Sequence, residues 1–160
     1  MLLVHDVATI RAAEADLMAQ LPAGALMQRA ATGLATVTAD LIKETFGRRP
    51  GIRVCVVAGS GNNGGDALYA GAQLANRGVQ VDIVATSDTL HPEGLAAAIR
   101  AGAVVREPRR ADVVLDAVVG LGGTGPLRPA AVAIRDTVDA ELTIAVDLPS
   151  GLQPDTGDTP

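Results

Sequence analysis

Tryptophan is absent from the 160 residues, and phenylalanine and tyrosine occur once each. A core must therefore be built from small aliphatic side chains. Hydrophobic residues, chiefly Ala, Val and Leu, make up 48% of the chain, which suits strands buried between helical layers. Basic charge is in deficit, with 13 Lys and Arg against 18 Asp and Glu and a net charge of −5. The chain has no global attraction for nucleic acid or for an anionic membrane, so neither is an expected partner. An anionic ligand would have to be held by local dipoles and individual arginines. The single cysteine rules out an internal disulfide framework and fits a reducing compartment. Cys55 lies inside an apolar run and reads as core. No apolar run approaches the length of a membrane span, and Met1–Val4 is too short for a signal peptide. The expected location is the cytoplasm. The length suffices for one domain with a real core.

What is present is a glycine-rich stretch at 58–66, A-G-S-G-N-N-G-G-D. It follows the apolar run 54–57 and precedes a helical pattern over 67–77, so it reads as the turn of a strand–turn–helix unit. The helix start would direct free N–H groups and its positive dipole end into the turn, and glycines there allow positive φ and a close approach to an anion. The stretch fails as a P-loop because no Lys-Ser or Lys-Thr follows the second glycine. Gly59, Gly61 and Gly64 do fit G-x-G-x-x-G, the weak dinucleotide pattern. Its acidic companion would be Asp82, but that residue sits inside the apolar run 79–85 and is expected to face out of the sheet. Asn62, Asn63 and Asp66 add amide and carboxylate oxygens, which suit a hard cation or sugar hydroxyls as well as phosphate.

Elsewhere the spacing predicts helices over 7–20, capped by Asp6, and over 25–45, separated by Pro22-Ala23-Gly24. A basic turn at 47–51 leads into the first strand. Strands follow at 79–85, 103–105, 112–119 and 142–146, with helices at 94–101 and 130–138. His91 and Pro92 open the first of these helices, and His5 and His91 read as surface residues. Residues 107–110 form a charged loop, and the tail 152–160 reads as a loose loop. The alternation implies parallel βαβ units, hence a three-layer αβα Rossmann-like sheet of mainly parallel strands with two amino-terminal helices. Three unusual loops all follow apolar strands: 59–66, 120–128 and 147–151. They should converge on the carboxyl edge of the sheet, where such folds bind ligands.

Two carboxylates stand out. Asp116 lies near the end of an apolar strand, where burial is costly without a proton, a cation or good donors. Asp147 ends the last strand before Pro149, Ser150 and Gly151. It reads either as a turn residue capping its own loop or as a proton-transfer group. Asn63, Asp116 and Ser150 together could make an oxygen-only cage, better suited to a monovalent cation than to Mg²⁺, Ca²⁺ or zinc.

These loops resemble the NAD(P)H-hydrate epimerase family, also called the YjeF amino-terminal domain. The resemblance rests on G-S-G-N-N-G-G-D (59–66), D-A-V-V-G-L-G-G-T-G-P-L-R (116–128), V-D-L-P-S-G-L (146–152) and L-M-Q-R-A (26–30). It implies an isomerase that interconverts the R and S epimers at C6 of hydrated NADH or NADPH (NADHX, NADPHX). An ADP- or ATP-dependent dehydratase would be its functional partner. By motif position it implies that Asn62, Asn63, Gly64, Gly65, Asp66, Gly120, Leu121, Gly122, Gly123, Thr124, Gly125, Pro126 and Asp147 contact the substrate. Asp147 would be the acid/base, and Asn63, Asp116 and Ser150 would bind K⁺. A homodimer is also expected. Arg128 is a candidate phosphate partner. Ala67 departs from the family pattern, where a further glycine would follow Asp66. Family domains run on past the D-L-P-S-G loop, so the 1–160 domain is expected to be truncated at its carboxyl end. Two rivals remain open: a non-catalytic nucleotide-binding or dimerisation module of the same fold, and an NAD-dependent dehydrogenase. The latter lacks a credible hydride-transfer partner. The former would be free to lose Asn63, Asp116 and Asp147, all of which are present.

Overall fold

A computed structural model of the chain describes residues 5–47, 50–107, 109–123 and 125–159. Met1–Val4, Arg48 and Arg49 of the basic turn, Pro108 of the charged loop, Thr124 of the second glycine-rich loop and Pro160 lie outside them. The elements run α1 (Val7–Met18), α2 (Ala25–Phe46), β1 (Arg53–Ala58), α3 (Asn62–Asn76), β2 (Gln80–Ala85), α4 (Pro92–Arg100), β3 (Val104–Val105), β4 (Val113–Ala117), α5 (Pro129–Thr137) and β5 (Leu142–Ala145). The strands form one sheet in the order β3-β2-β1-β4-β5, and every described pairing is parallel. The αβα architecture expected from the alternation is present.

Strand side chains alternate between two cores, as a pleated strand buried on both faces requires. Val54, Val56, Ile83, Val113 and Leu115 pack with α2, α3 and α4 on one face. Cys55, Val57, Val84 and Val114 pack with Ala131 and Ile134 of α5 on the other. Cys55 is a core residue, and burial pushes its thiol up to about 12. Asp6 caps α1, its carboxylate accepting from Thr9 N at 2.7 Å. Gly24 and Gly47, both at positive φ, bracket α2. His91 caps α4 through Nδ1, which accepts from Gly94 N at 3.1 Å. Its ring meets Tyr69 edge-on.

The largest departure from the sequence reading is at α3. The helix starts at Asn62, not Ala67, so N-N-G-G-D is helical rather than part of the turn. β4 is shorter than the expected 112–119: at its start the Asp112 side chain takes the Arg53 N–H at 2.7 Å, and beyond its end Val119 N donates to Ser150 Oγ at 3.1 Å instead of to a strand.

Asp82 sits in the middle of β2, paired in register with Cys55 and Val104, and not at the strand end where a ribose-binding carboxylate would stand. It points off the sheet face as expected but is not solvated, being 4% exposed. Arg106 Nε and Arg109 Nη2 donate to it at 2.8 and 2.6 Å, and Arg53 Nε lies 3.5 Å away. Arg106 and Arg109 belong to the connection from β3 to β4, which crosses this face without a helix. Asp82 therefore pins a crossover that lacks its usual helical cover. The three arginines are each 35–43% exposed, so solvent weakens the attraction. Asp82→Ala should lower unfolding free energy by about 1–3 kcal/mol in a urea titration. An unchanged midpoint would show that the clamp contributes nothing.

Candidate active site at the strand switch point

The chain builds β1, β2 and β3 outward in one direction, then returns to place β4 and β5 on the other side of β1. The crevice above β1 and β4 is the switch point where such sheets bind ligands. There the two glycine-rich segments meet. Gly59 N donates to Ala117 O at 3.0 Å, and a Cβ on Gly59 would run into the Val118 carbonyl oxygen. A Cβ on Gly64 would run into Gly59 O, and one on Gly65 would press on the His91 ring and Met27. None of these glycines has positive φ. The expectation of unusual backbone angles is corrected: close packing, not conformation, demands glycine here. The first turn of α3 has no side-chain cap, so its N–H groups are available to an anion.

Asp147 follows β5 and is the only non-glycine residue at positive φ (69°) among those described. A non-glycine side chain there carries strain that neighbours must hold. Its Oδ2 accepts from Leu121 N at 2.6 Å, while the residue as a whole stays exposed. Gly120 packs beneath this carboxylate and beside Asn63, and a Cβ there would strike Asp147 Oδ2. Both polar atoms of the Asn63 side chain are buried without a partner among the described residues. So is Asp66 Oδ1. Burial, helped by the negative charges of Asp147 and Glu14, pushes the Asp66 carboxyl up to about 7.

Asp116, at the end of β4, is buried with Ser150. Ser150 donates through N to Oδ2 (3.0 Å) and through Oγ to Oδ1 (2.5 Å), and its Oγ accepts from Val119 N at 3.1 Å. The two loops are thereby tied together around a carboxylate with no ion pair among the described residues. Asn63, Asp116 and Ser150 each carry an oxygen of the kind a hard cation takes, and the Asn63 carbonyl has no partner among the described residues. Among the described residues no group of three His, Cys, Asp or Glu side chains gathers as a metal site.

The contacts thus join Asn63, Gly120, Leu121 and Asp147 in one group and Asp116, Val119 and Ser150 in another. Asn62 is exposed at the start of α3, while Gly64 and Gly65 are buried within it. Gly122 and Pro126 lie along the second loop. Gly123 N closes a turn on Gly120 O at 2.9 Å, and Gly125 takes positive φ. A cavity of about 160 Å³ adjoins this loop, lined in part by Val119, Gly123, Leu127, Arg128 and Leu152. Arg128 is exposed there. Two residues escaped the sequence reading. Arg11 of α1 donates through Nη2 to Leu121 O at 3.3 Å, and Glu14 acts on Asp66 through its charge. Nothing local in α1 marks either, because only tertiary packing brings that helix over the second loop.

The chain belongs to the family described as YjeF-related protein N-terminus, whose model matches residues 23–160. It is 49% identical over 158 residues to a Mycobacterium leprae protein named bifunctional NAD(P)H-hydrate repair enzyme Nnr, covering 96% of this chain and 33% of that one. It is 41% identical over 161 residues to the Microbacterium testaceum protein named NAD(P)H-hydrate epimerase, covering 92% and 60%. The chain thus spans about a third of the length of the first of these relatives, at 33%. The crystal structure of the yeast protein ynu0 superposes with a TM-score of 0.77 at 20% identity, over 94% of this chain and 72% of that one, which supports the fold.

Asp66 has a measurable signature. With its folded pKa raised from 3.8 to about 7, the unfolded chain loses this proton first as pH rises. Unfolding is then increasingly favoured between about pH 4 and pH 7, and the effect levels off above that. Asp66→Asn should flatten this fall and be more stable than the parent above pH 7 in urea titrations across pH. Parallel pH profiles for the two proteins would contradict the assignment.

Proposed function

We propose that this chain epimerises C6 of hydrated NADH or NADPH, with Asp147 as the acid/base. The carrying observation is the geometry of Asp147. It is solvent-facing, held at a strained backbone angle, anchored through one oxygen by Leu121 N, and set beside Asn63 and Gly120. The names of the M. leprae and M. testaceum relatives point to the same substrate class.

C6 carries both a hydroxyl and the ring nitrogen and so resembles a hemiaminal carbon. If Asp147 takes the hydroxyl proton, the C6–N bond can break to give an aldehyde as the ring nitrogen takes up a proton, and reclosure on the other face, with the nitrogen losing that proton and the oxygen regaining one, inverts the centre. If Asp147 instead protonates the hydroxyl, water leaves and returns on the other face. One positioned carboxylate serves either route. Asn62–Asp66 and 120–126 would hold the dinucleotide, with the uncapped α3 terminus facing its pyrophosphate. Asn63, Asp116 and Ser150 would hold K⁺, which when bound supplies positive charge to offset Asp116 and substrate oxygens. The S epimer would pass to an ADP- or ATP-dependent dehydratase. A homodimer working in the cytoplasm completes the reading. Among the described residues no helix is long and apolar enough to cross a membrane.

Purified (R)-NADPHX incubated with the protein in K⁺ buffer should convert to the S epimer faster than it does spontaneously, followed by chromatography. Asp147→Asn, shown folded by circular dichroism, should lose about 10²-fold or more of that rate. Asp116→Asn should shift the K⁺ concentration needed for half-maximal rate upward. A folded protein that binds the dinucleotide without accelerating conversion would be a binding module of this fold instead.

A further inference from the structure

The site gathers negative charge. Asp116 and Asp147 border its loops, and Asp66 feels the negative charges of Asp147 and of Glu14 on α1. A ligand with a pyrophosphate would enter against this field, so cations near the loops decide whether it binds. Besides Arg128 within the second glycine-rich loop itself, the guanidinium of Arg11, carried by α1, contacts that loop from outside it. This helix lies before the family-matched region 23–160 and has no buried residue. Two hydrogen bonds tie it to later segments: Val7 N donates to Asp155 Oδ1 at 2.9 Å, and Arg11 Nη2 donates to Leu121 O at 3.3 Å. The same Leu121 donates its N–H to Asp147. The Arg11 guanidinium also lies over Gly122, 3.6 Å from where a Cβ would stand. One donor is committed to a carbonyl, and no carboxylate among the described residues pairs with Arg11. The rest of the planar fork is open, with the geometry that suits a phosphate.

We propose that Arg11, carried by α1, is a phosphate-binding residue of this site. The proposal rests on the dinucleotide reading above. Arg11 spans Leu121 O and a phosphate of the substrate, either the pyrophosphate common to NADHX and NADPHX or the 2′-phosphate of NADPHX alone. It fixes Leu121 and Gly122 beside the bound dinucleotide and leaves proton transfer to Asp147.

The test compares the parent, Arg11→Gln and Arg11→Lys in epimerisation of (R)-NADHX and (R)-NADPHX, alongside equilibrium binding of NADPH and thermal melts. Arg11→Gln should raise KM about 10- to 100-fold with kcat changed by no more than a few-fold, weaken NADPH binding by a similar factor, and leave the melt unchanged. Arg11→Lys should recover part of the loss, because charge remains while the fork is gone. Equal effects on both substrates place Arg11 on the pyrophosphate, and an effect confined to NADPHX places it on the 2′-phosphate. Unchanged KM and unchanged NADPH binding in Arg11→Gln overturn the proposal. So does a loss of kcat and melting temperature that Arg11→Lys does not relieve, since Arg11 would then be only a clasp for the loop. A parent that binds NADPH but turns over neither epimer removes the epimerase reading, and the binding arm then decides Arg11 by itself.

Discussion

Gly59 has no space for a side chain because the Val118 carbonyl oxygen occupies it, and Gly64 has none because Gly59 O does. This stack of backbone on backbone sets how near the β1–α3 corner comes to the loop after β4. If either glycine gained a methyl group, the corner would have to move away, since backbone atoms cannot rotate aside as side chains can. The approach places Asn63 of α3 beside Gly120, and Gly120 beneath Asp147. Three segments far apart in sequence thus share one crevice because two glycines allow their backbones to touch.

A second constraint is electrical. The loops that meet there carry carboxylates, and each is handled differently. Asp116 is buried but satisfied by the Ser150 N–H and hydroxyl. Asp147 stays in contact with water and uses one oxygen to hold the second loop. Asp66 is left partly desolvated with an unpaired oxygen, and its carboxyl titrates near neutrality, at about 7. An exposed carboxylate and a buried carboxyl raised to about 7 thus stand in one crevice, in different surroundings. Asp82, by contrast, meets three arginines and serves the crossover to β4. The same residue type takes four roles, set by what surrounds it.

Much of this was legible in the residues. The alternation of apolar strand runs with helical spacing required a parallel sheet between helices, and the observed sheet is parallel throughout its described pairings. Asp6 as a cap and Cys55 and Asp116 as strand residues were readable from local pattern. The loop motifs located the crevice, because side chains that follow the strands of a doubly wound sheet must emerge on one edge. Local pattern misjudged the extent of α3, since Gly64 and Gly65 look like turn residues, yet both lie in the helix where the packing around them leaves no room for a side chain.

What the amino-acid order determined by itself is therefore the element list, the two-faced strands and the set of oxygen-bearing loops, all of which follow from near-neighbour periodicity and capping chemistry. What only the tertiary structure decided is which of those groups are satisfied and which are not. Asn63 left without partners, Asp66 pushed toward neutrality, Asp82 clamped by arginines and Arg11 laid against Leu121 all depend on contacts between distant segments. Burial and electrostatic potential are sums over everything nearby in space, and neighbours in space are not neighbours along the chain.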